Sequence, residues 1–147
     1  MNRWPLGKRR FARAAAARMP MLGNLRARFQ ELRVGLCRTV MDAHRRVRTI
    51  DGVIDPIALS ALAQLAACMV VEVSLPAGMD WATRGITIEY LQQSRGQAMA
   101  LARLDRIDWN QAGPVGVPVT LSDGHGTEIA RAVVSFVVTL ASAERSG

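Results

Sequence analysis

The spacing of apolar and polar positions divides the chain into one long helix flanked by strands. From Ile57 to Val71 nearly every residue is apolar, which predicts a helix that is buried on all sides. Asp55-Pro56 precedes this run and is typical of a helix start, because the aspartate can accept hydrogen bonds from the first amides and proline fits the first helical position. The segment from Leu75 to Gly78 is predicted to end the helix.

Strands are predicted on both sides of the helix, where apolar residues recur at every second position. They are expected at residues 34–41 and 43–48 before the helix, and at 86–90, 97–105, 115–122 and 130–140 after it. Pro118 should lie at an edge or a bulge because it cannot donate to a ladder. Glu89–Leu91 and Val115–Ser122 are candidate sheet edges, which must be covered or paired.

The N-terminal part differs in charge from the rest. Residues 1–48 contain 13 Lys or Arg and 2 acidic residues, a net charge of +11, whereas residues 49–147 have a net charge of −4. We predict a basic helical extension at residues 1–30, with helices over 3–18 and 25–32, followed by one domain at 31–147. The extension is interpreted either as a polyanion-binding segment or as a solvated helix.

Several classes of protein are excluded by absent patterns. Cys37 and Cys68 are isolated and form no C-x-x-C pair, which argues against a disulfide or zinc site and favours a reducing, cytoplasmic setting. There is no phosphate loop, dinucleotide fingerprint or H-E-x-x-H motif, so neither a metal nor a cofactor is expected. The apolar run of 15 residues is short for a membrane span. His44 and His125 are interpreted as solvated residues rather than catalysts.

The segment from Thr49 to Ile57 and the helix after it resemble the PaaI-like thioesterases of the hotdog superfamily. That family has Asn, then Gly, then His-Gly-Gly at the helix start, and an acid nine residues after the His. Gly52 matches the family glycine. Thr49, Asp55 and Gln64 stand where the family has Asn, His and the acid. The segments 85–91 and 94–96 are also similar to a family strand and the hairpin after it.

The resemblance implies an α+β hotdog fold, in which an antiparallel sheet wraps the long helix. It also implies a homodimer, or a dimer of dimers, with sites for acyl-CoA or an acyl-carrier thioester at the subunit boundary. The implied hydrolysis uses the first amides of the helix and a carboxylate. The candidate catalytic residues are Asp55, Asp51 and Gln64, and the candidate substrate-binding residues are Thr49, Gly52, Ile57 and Ser60.

The identity of the base leaves alternatives open. Gln64 can orient water but cannot take its proton. Asp55 is either a base or only the N-cap, and Asp51 is either a base or a turn residue. Three functions therefore compete: a thioesterase, a non-catalytic protein that binds acyl thioesters, and a ligand-sensing regulator. The regulator needs a helix-turn-helix, for which the first 30 residues are too short and interrupted, so nucleic acid is not an expected partner.

A polar stripe interrupts the apolar helix. Ser60, Gln64, Cys68 and Glu72 recur at every fourth position, so they lie along one side of the helix. The stripe is interpreted either as the lining of a ligand tunnel or dimer seam, or as buried polar groups bonded to nearby backbone.

Overall fold

The structure, a computed structural model, describes residues 25–105 and 113–140. This part of the chain contains one α-helix, a 3₁₀ turn and six strands. Their bounds are β1 (Arg28–Arg33), β2 (Leu36–Met41), the 3₁₀ turn (Arg45–Val47), α1 (Pro56–Ser74), β3 (Met79–Tyr90), β4 (Ala98–Arg103), β5 (Gly113–Asp123) and β6 (Glu128–Leu140).

The six strands form one antiparallel sheet in the order β1-β2-β4-β5-β6-β3. Helix α1 contacts every one of these strands, so the sheet curves around it. This arrangement confirms the predicted α+β hotdog fold.

Small side chains allow the helix to lie close to the centre of the sheet. Ala63, Ala66 and Ala67 on α1 are fully buried, and so are Ala98, Ala100 and Ala102 on β4. Alanine adds little volume, so the two backbones can lie close together. Larger residues such as Leu62 and Phe136 fill the rest of the core, and neither has any exposed surface. The predicted all-round burial is therefore confirmed for most of the helix, although Ile57 at its start is 74% exposed.

Helix α1 is a core helix, although it resembles a membrane span in composition. Its 19 residues are long and apolar enough to cross a bilayer, but 61% of the apolar window is buried inside the protein. Burial against six strands accounts for the apolarity, since a core helix and a spanning helix both need an apolar surface.

The predicted helix over residues 25–32 is wrong. Residues Arg28–Arg33 form strand β1, and its pairing with β2 shifts register between Phe29 and Glu31. A bulge adds one residue to one strand, so Phe29 and Leu32, three apart, both pack against the core. This spacing imitates a helical period. The sheet thus begins before the expected boundary at residue 31, and the predicted helix over 3–18 lies outside the described residues.

Two further expectations need correction. The predicted strand over residues 43–48 is a 3₁₀ turn, in which the amide of Val47 donates to the carbonyl of His44 at 3.0 Å. Strand β5 lies between β4 and β6, so Val115–Ser122 is not a sheet edge, whereas β3 is one. Pro118 lies just beyond Val119, the last β5 residue paired with β4, which agrees with its expected place at a local edge.

Candidate functional site

A cleft of about 400 Å³ lies where helix α1 begins. It is formed by the loop before the helix, the first turn of α1 and the segment that follows β3, and we call it the helix-start cleft. Its walls mix apolar and polar side chains. The lining residues are Thr49, Asp51, Val53, Ile54, Pro56, Leu59, Tyr90, Leu91, Gln92, Gln93 and Ser94.

The loop before the helix is held in a tight turn by its own backbone. The amide of Gly52 donates to the carbonyl of Thr49 at 2.9 Å, and the amide of Thr49 donates to the carbonyl of Val53 at 2.8 Å. Gly52 has a φ of +83°, a left-handed conformation that favours glycine. The guanidinium of Arg95 donates to the carbonyl of Asp51 at 2.8 Å, which fixes the tip of the loop.

The helix start is fixed from two sides. The amide of Ile54 donates to the carbonyl of Ser94, and the amide of Asp55 donates to the carbonyl of Val47, both at 2.7 Å. The side chain of Asp55 then accepts from the amide of Ile57 at 2.8 Å. Asp55 is therefore the N-cap of α1, as one of its two interpretations predicted.

Tyr90 is a residue of this site that sequence reasoning did not select. Its hydroxyl donates to the carbonyl of Pro56 at 3.0 Å, which ties the end of β3 to the first turn of the helix. Desolvation, with the nearby charge of Asp55, raises the pKa of Tyr90 above its usual value, so the hydroxyl remains a donor at neutral pH. The sequence places Tyr90 at the end of a strand, but only the pairing of β3 with β6 brings it to α1.

The side chain of Thr49 has a polar atom without a hydrogen-bond partner among the described residues. This atom, Oγ1, is buried. Within residues 25–105 and 113–140, it is the one buried side-chain oxygen or nitrogen that has no hydrogen-bond partner. Buried polar groups are nearly always bonded, so an unpartnered hydroxyl on a residue that lines a cleft is a candidate contact for a ligand.

The structure does not bring all predicted site residues together. Thr49 and Asp51 line the cleft and Gly52 shapes it, whereas Asp55, Ser60 and Gln64 are not among its lining residues. Gln64 is nine residues beyond Asp55, about 13 Å along the helix axis. The exposed Ile57 lies beside the helix start and is not a lining residue either.

The polar stripe of α1 faces the edge strand β3. Gln64 donates to Ser60 at a long 3.5 Å, Cys68 Sγ lies 3.8 Å from Thr83 Oγ1, and Trp81 donates to Glu72 at 2.9 Å. The partners shown by these contacts are side chains of α1 and β3. Cys37 and Cys68 are both buried and unbridged.

A second, polar cleft of about 500 Å³ adjoins the first and shares Gln93 and Ser94 with it. It extends to Arg95, Asp123 and His125. The carboxylate of Asp123 accepts from the amides of Thr127 and His125, and these bonds lower the pKa of Asp123. The carboxylate of Asp123 therefore stabilises the turn between β5 and β6.

Across the described ranges, no group of three or more His, Cys, Asp or Glu side chains is arranged to hold a metal ion.

Comparison with known proteins places the chain among hotdog structures. Residues 7–138 match the family described as "Domain of unknown function (DUF4442)". A crystal structure from structural genomics is 32% identical, with a TM-score of 0.80 over 87% of this chain and 86% of that chain. No curated protein matches the chain.

Two less identical structures share the fold. A protein of unknown function from Pseudomonas aeruginosa, described as a probable thioesterase, is 15% identical with a TM-score of 0.78, over 90% of this chain and 95% of that one. A thioesterase from Haemophilus influenzae is 13% identical with a TM-score of 0.73, over 82% of each chain.

Proposed function

The chain belongs to the DUF4442 family and has the hotdog fold of thioesterase-family proteins, and from this premise we propose that it is a thioesterase-like protein acting on an acyl thioester. The observation that supports the proposal is the helix-start cleft. There, Thr49, whose buried hydroxyl has no partner among the described residues, forms part of one wall, and the first turn of a long buried helix forms another.

The proposed substrate is an acyl-CoA or an acyl-carrier thioester. Val53, Ile54, Leu59 and Leu91 give the cleft apolar walls, which suit an acyl group. The polar groups of Thr49 and Asp51 lie on the same cleft and suit the thioester carbonyl and a water molecule. A mixture of apolar walls and a few polar groups is typical of small-molecule sites.

The first turn of α1 would stabilise charge on the carbonyl oxygen. Pro56 has no amide hydrogen, and the amide of Ile57 is occupied by Asp55, so Ala58 provides the next amide of that turn. Helix N-terminal amides favour negative charge, and one oxyanion donor contributes about 3–4 kcal/mol to transition-state stabilisation.

A carboxylate would activate the water. One oxygen of Asp55 accepts from Ile57, and its other oxygen is the proposed acceptor of the water proton. Asp51 is the second proposed base, and Gln64 a residue that orients water. Water attacks the carbonyl carbon, the carbon–sulfur bond breaks, and the proton passes through the carboxylate to the departing thiolate, leaving a carboxylic acid and a thiol.

Binding without hydrolysis is the second candidate function. The hydrogen bond from Ile57 to Asp55 places a negative charge on the same helix start that would stabilise an oxyanion. This charge opposes the build-up of a second one nearby. Gln64 also supplies no ionisable group. These two features favour slow turnover, or a protein that binds the thioester without cleaving it.

We further propose a cytoplasmic homodimer, or a dimer of dimers, that pairs through β3. This strand lies at the sheet edge, and an edge of 12 residues exposes backbone groups that must be covered or paired. Tyr90 at its end lines the helix-start cleft, so pairing there would place the cleft at the subunit boundary. The basic extension predicted at residues 1–30 remains a prediction for residues 1–24, which lie outside the described residues.

The catalytic proposal is tested by a hydrolysis screen over short, medium, long and aromatic acyl-CoAs. With Asp55 as the base, Asp55→Asn should lower hydrolysis by roughly 100-fold or more, because asparagine keeps much of the capping ability and loses the proton acceptor. Asp105→Asn, an exposed carboxylate beyond the end of β4, is the matched control and should have no effect. Efficient turnover that survives both Asp55→Asn and Asp51→Asn would overturn this mechanism.

The assembly proposal is tested by light scattering at micromolar concentration. A dimer is expected for the wild type. Thr87→Pro, at an exposed position of the edge strand, should shift it toward monomer if β3 pairs with a second β3, because proline blocks a ladder. A monomeric wild type would refute the proposal.

A further inference from the structure

The loop before α1 is held in place by the segment between β3 and β4. This segment comprises residues 91–97, and we call it the support segment. The carbonyl of Ser94 accepts from the amide of Ile54 at 2.7 Å, and Nη1 of Arg95 donates to the carbonyl of Asp51 at 2.8 Å. Two successive residues of the support segment therefore bind the end and the tip of the loop.

The support segment is itself anchored at both ends. At its start, the amides of Leu91 and Gln92 donate to the carbonyl of Ile129 on β6 at 2.8 and 3.2 Å. At its end, Nε2 of Gln97 donates to the carboxylate of Asp42 at 3.1 Å. These bonds connect the segment to β6 and to the residue that follows β2, so its central residues contact the loop from a fixed position.

The contact of Arg95 with the loop is not accompanied by an ion pair. Within residues 25–105 and 113–140, the arginines that pair with carboxylates are Arg28, Arg33, Arg38 and Arg131. A charged donor forms a stronger hydrogen bond than a neutral one, and the carbonyl that Arg95 binds belongs to Asp51, a lining residue of the helix-start cleft. The bond therefore fixes part of the wall of that cleft.

Gly52 leaves the space that the guanidinium occupies. A Cβ on Gly52 would lie 2.9 Å from Nη1 of Arg95, closer than real Cβ contacts. The guanidinium is the end of a flexible side chain, so Gly52→Ala would displace it and break its bond to Asp51. Gly126 has nearly the same φ, +86° against +83°, but a Cβ there would meet nothing within 4 Å. Gly52 is thus needed for the contact as well as for its turn, whereas Gly126 is needed for its turn alone.

The turn that Arg95 binds carries the polar groups assigned to the thioester. Thr49 and Asp51 line the helix-start cleft, and the buried Oγ1 of Thr49 has no partner among the described residues. The amide of Gly52 donates to the carbonyl of Thr49 at 2.9 Å, so the Thr49 side chain and the carbonyl bound by Arg95 belong to one turn. A displacement of about 1 Å is enough to impair a binding or catalytic group.

We propose that Arg95 is a positioning residue, which holds the turn at residues 49–52 through the carbonyl of Asp51 so that the Thr49 hydroxyl contacts the bound thioester. This inference rests on the proposed function, since it explains how the proposed site keeps its shape. Arg95 acts through the turn and does not touch the substrate. The alternative is a direct contact between the guanidinium and the ligand, because Arg95 also lines the polar cleft.

The first test is calorimetric titration with the ketone analogue of octanoyl-CoA, in which a methylene group replaces the sulfur atom. Arg95→Ala should weaken binding by roughly tenfold, the loss expected for one hydrogen bond to a charged group. In the Thr49→Val background it should cause less than about a twofold further loss, because the hydroxyl that it positions is already absent. Arg103→Gln, at the exposed end of β4, is the control and should leave binding unchanged. A full tenfold loss in the Thr49→Val background would indicate direct contact and overturn the proposal.

The second test needs no ligand and uses hydrogen exchange followed by NMR. The amide of Thr49, which donates to Val53 at 2.8 Å, should exchange roughly tenfold faster in Arg95→Ala, because the turn opens more often. Gly52→Ala should have a similar effect, and the double variant should exchange no faster than Gly52→Ala. Gly126→Ala is the matched control and should not alter exchange at Thr49.

The two tests separate this inference from the proposed function. A wild type that binds the analogue without hydrolysing the thioester leaves the positioning role intact, and only the catalytic proposal fails. If the wild type binds no acyl thioester, the proposed function fails, and hydrogen exchange alone decides whether Arg95 holds the turn. Unchanged exchange at Thr49 in Arg95→Ala, or an equal effect of Gly126→Ala, would overturn the positioning role.

Discussion

The two ends of helix α1 differ in what their polar groups contact. At the C-terminal end, Glu72 accepts from the indole of Trp81 at 2.9 Å, and Ser74 accepts from the amide of Gly35 at 2.9 Å. The carbonyl of Gly35 in turn accepts from Leu104 at 3.0 Å. Each of these groups is bonded within the chain, so this end closes the fold.

At the N-terminal end, one buried hydroxyl is unbonded and one apolar side chain is exposed. The Thr49 hydroxyl has no partner among the described residues, Ile57 is 74% exposed, and Tyr90 borders a cleft. Polar residues therefore stabilise the fold at the C-terminal end, whereas our proposal assigns those at the N-terminal end to a ligand. Substitutions at the closed end should lower stability, whereas those at the open end should mainly change binding or hydrolysis.

The largest effect on stability is expected for Phe136→Ala at the closed end. Phe136 is fully buried and contacts Trp81 edge to face, with ring centroids 5.5 Å apart. Its truncation leaves a cavity and should lower the free energy of unfolding by about 3–5 kcal/mol, measured by urea denaturation. Val133→Ala, at a half-exposed position of the same strand, is the control and should cost much less. Equal costs would show that this region is not a closed core.

A smaller loss is expected for Trp81→Phe, which keeps an aromatic ring and removes the indole donor to Glu72. A hydrogen bond to a charged group contributes about 1.5–3 kcal/mol, so the free energy of unfolding should fall by an amount near the lower end of this range. Chemical denaturation measures it. The double variant with Glu72→Gln should cost less than the sum of the two single changes; strict additivity would mean that the two side chains do not interact.

The closed end and the core were more predictable from the sequence than the open end. An apolar helix that follows Asp-Pro is stable in water only when it is buried. The alternation of apolar and polar residues along β6 determines which face of that strand packs inward. The strand β1 was missed because its bulge places Phe29 and Leu32 on one face. The edge assigned to β5 was wrong because strand order depends on pairing between distant segments, which periodicity does not encode.

The candidate site depends on long-range contacts for the same reason. Local chemistry offered Asp55 as a helix cap and Asp51 as a turn residue, and both occupy these positions. Tyr90, Ser94 and Arg95 reach the loop through hydrogen bonds that span 34–44 residues of sequence. No local sequence pattern predicts such contacts.

The cap at the open end should contribute modestly to stability. Asp55→Ala removes the acceptor of the Ile57 amide and should lower the free energy of unfolding by about 1 kcal/mol, as measured by thermal or urea unfolding. Asp55→Asn should cost only a fraction of this, because asparagine is also a good cap. If asparagine costs as much as alanine, the charge of Asp55 rather than its hydrogen bond stabilises the helix start.

The smallest change in stability is expected for Thr49→Val, which separates the two ends most directly. Valine has nearly the same shape as threonine, and the hydroxyl that it removes has no partner among the described residues. Because an unbonded buried hydroxyl is unfavourable, the free energy of unfolding should stay within about 0.5 kcal/mol of wild type or rise slightly.

The matched control is Thr39→Val on β2, where the buried hydroxyl donates to the carbonyl of Arg28 at 3.1 Å and its loss should cost about 1 kcal/mol. Thioester binding, followed by titration with an acyl-CoA, should show the reverse order, with Thr49→Val weakened and Thr39→Val unchanged. A stability loss for Thr49→Val equal to that of Thr39→Val would mean that the Thr49 hydroxyl stabilises the fold, and the contrast between the two ends of the helix would not hold at this position.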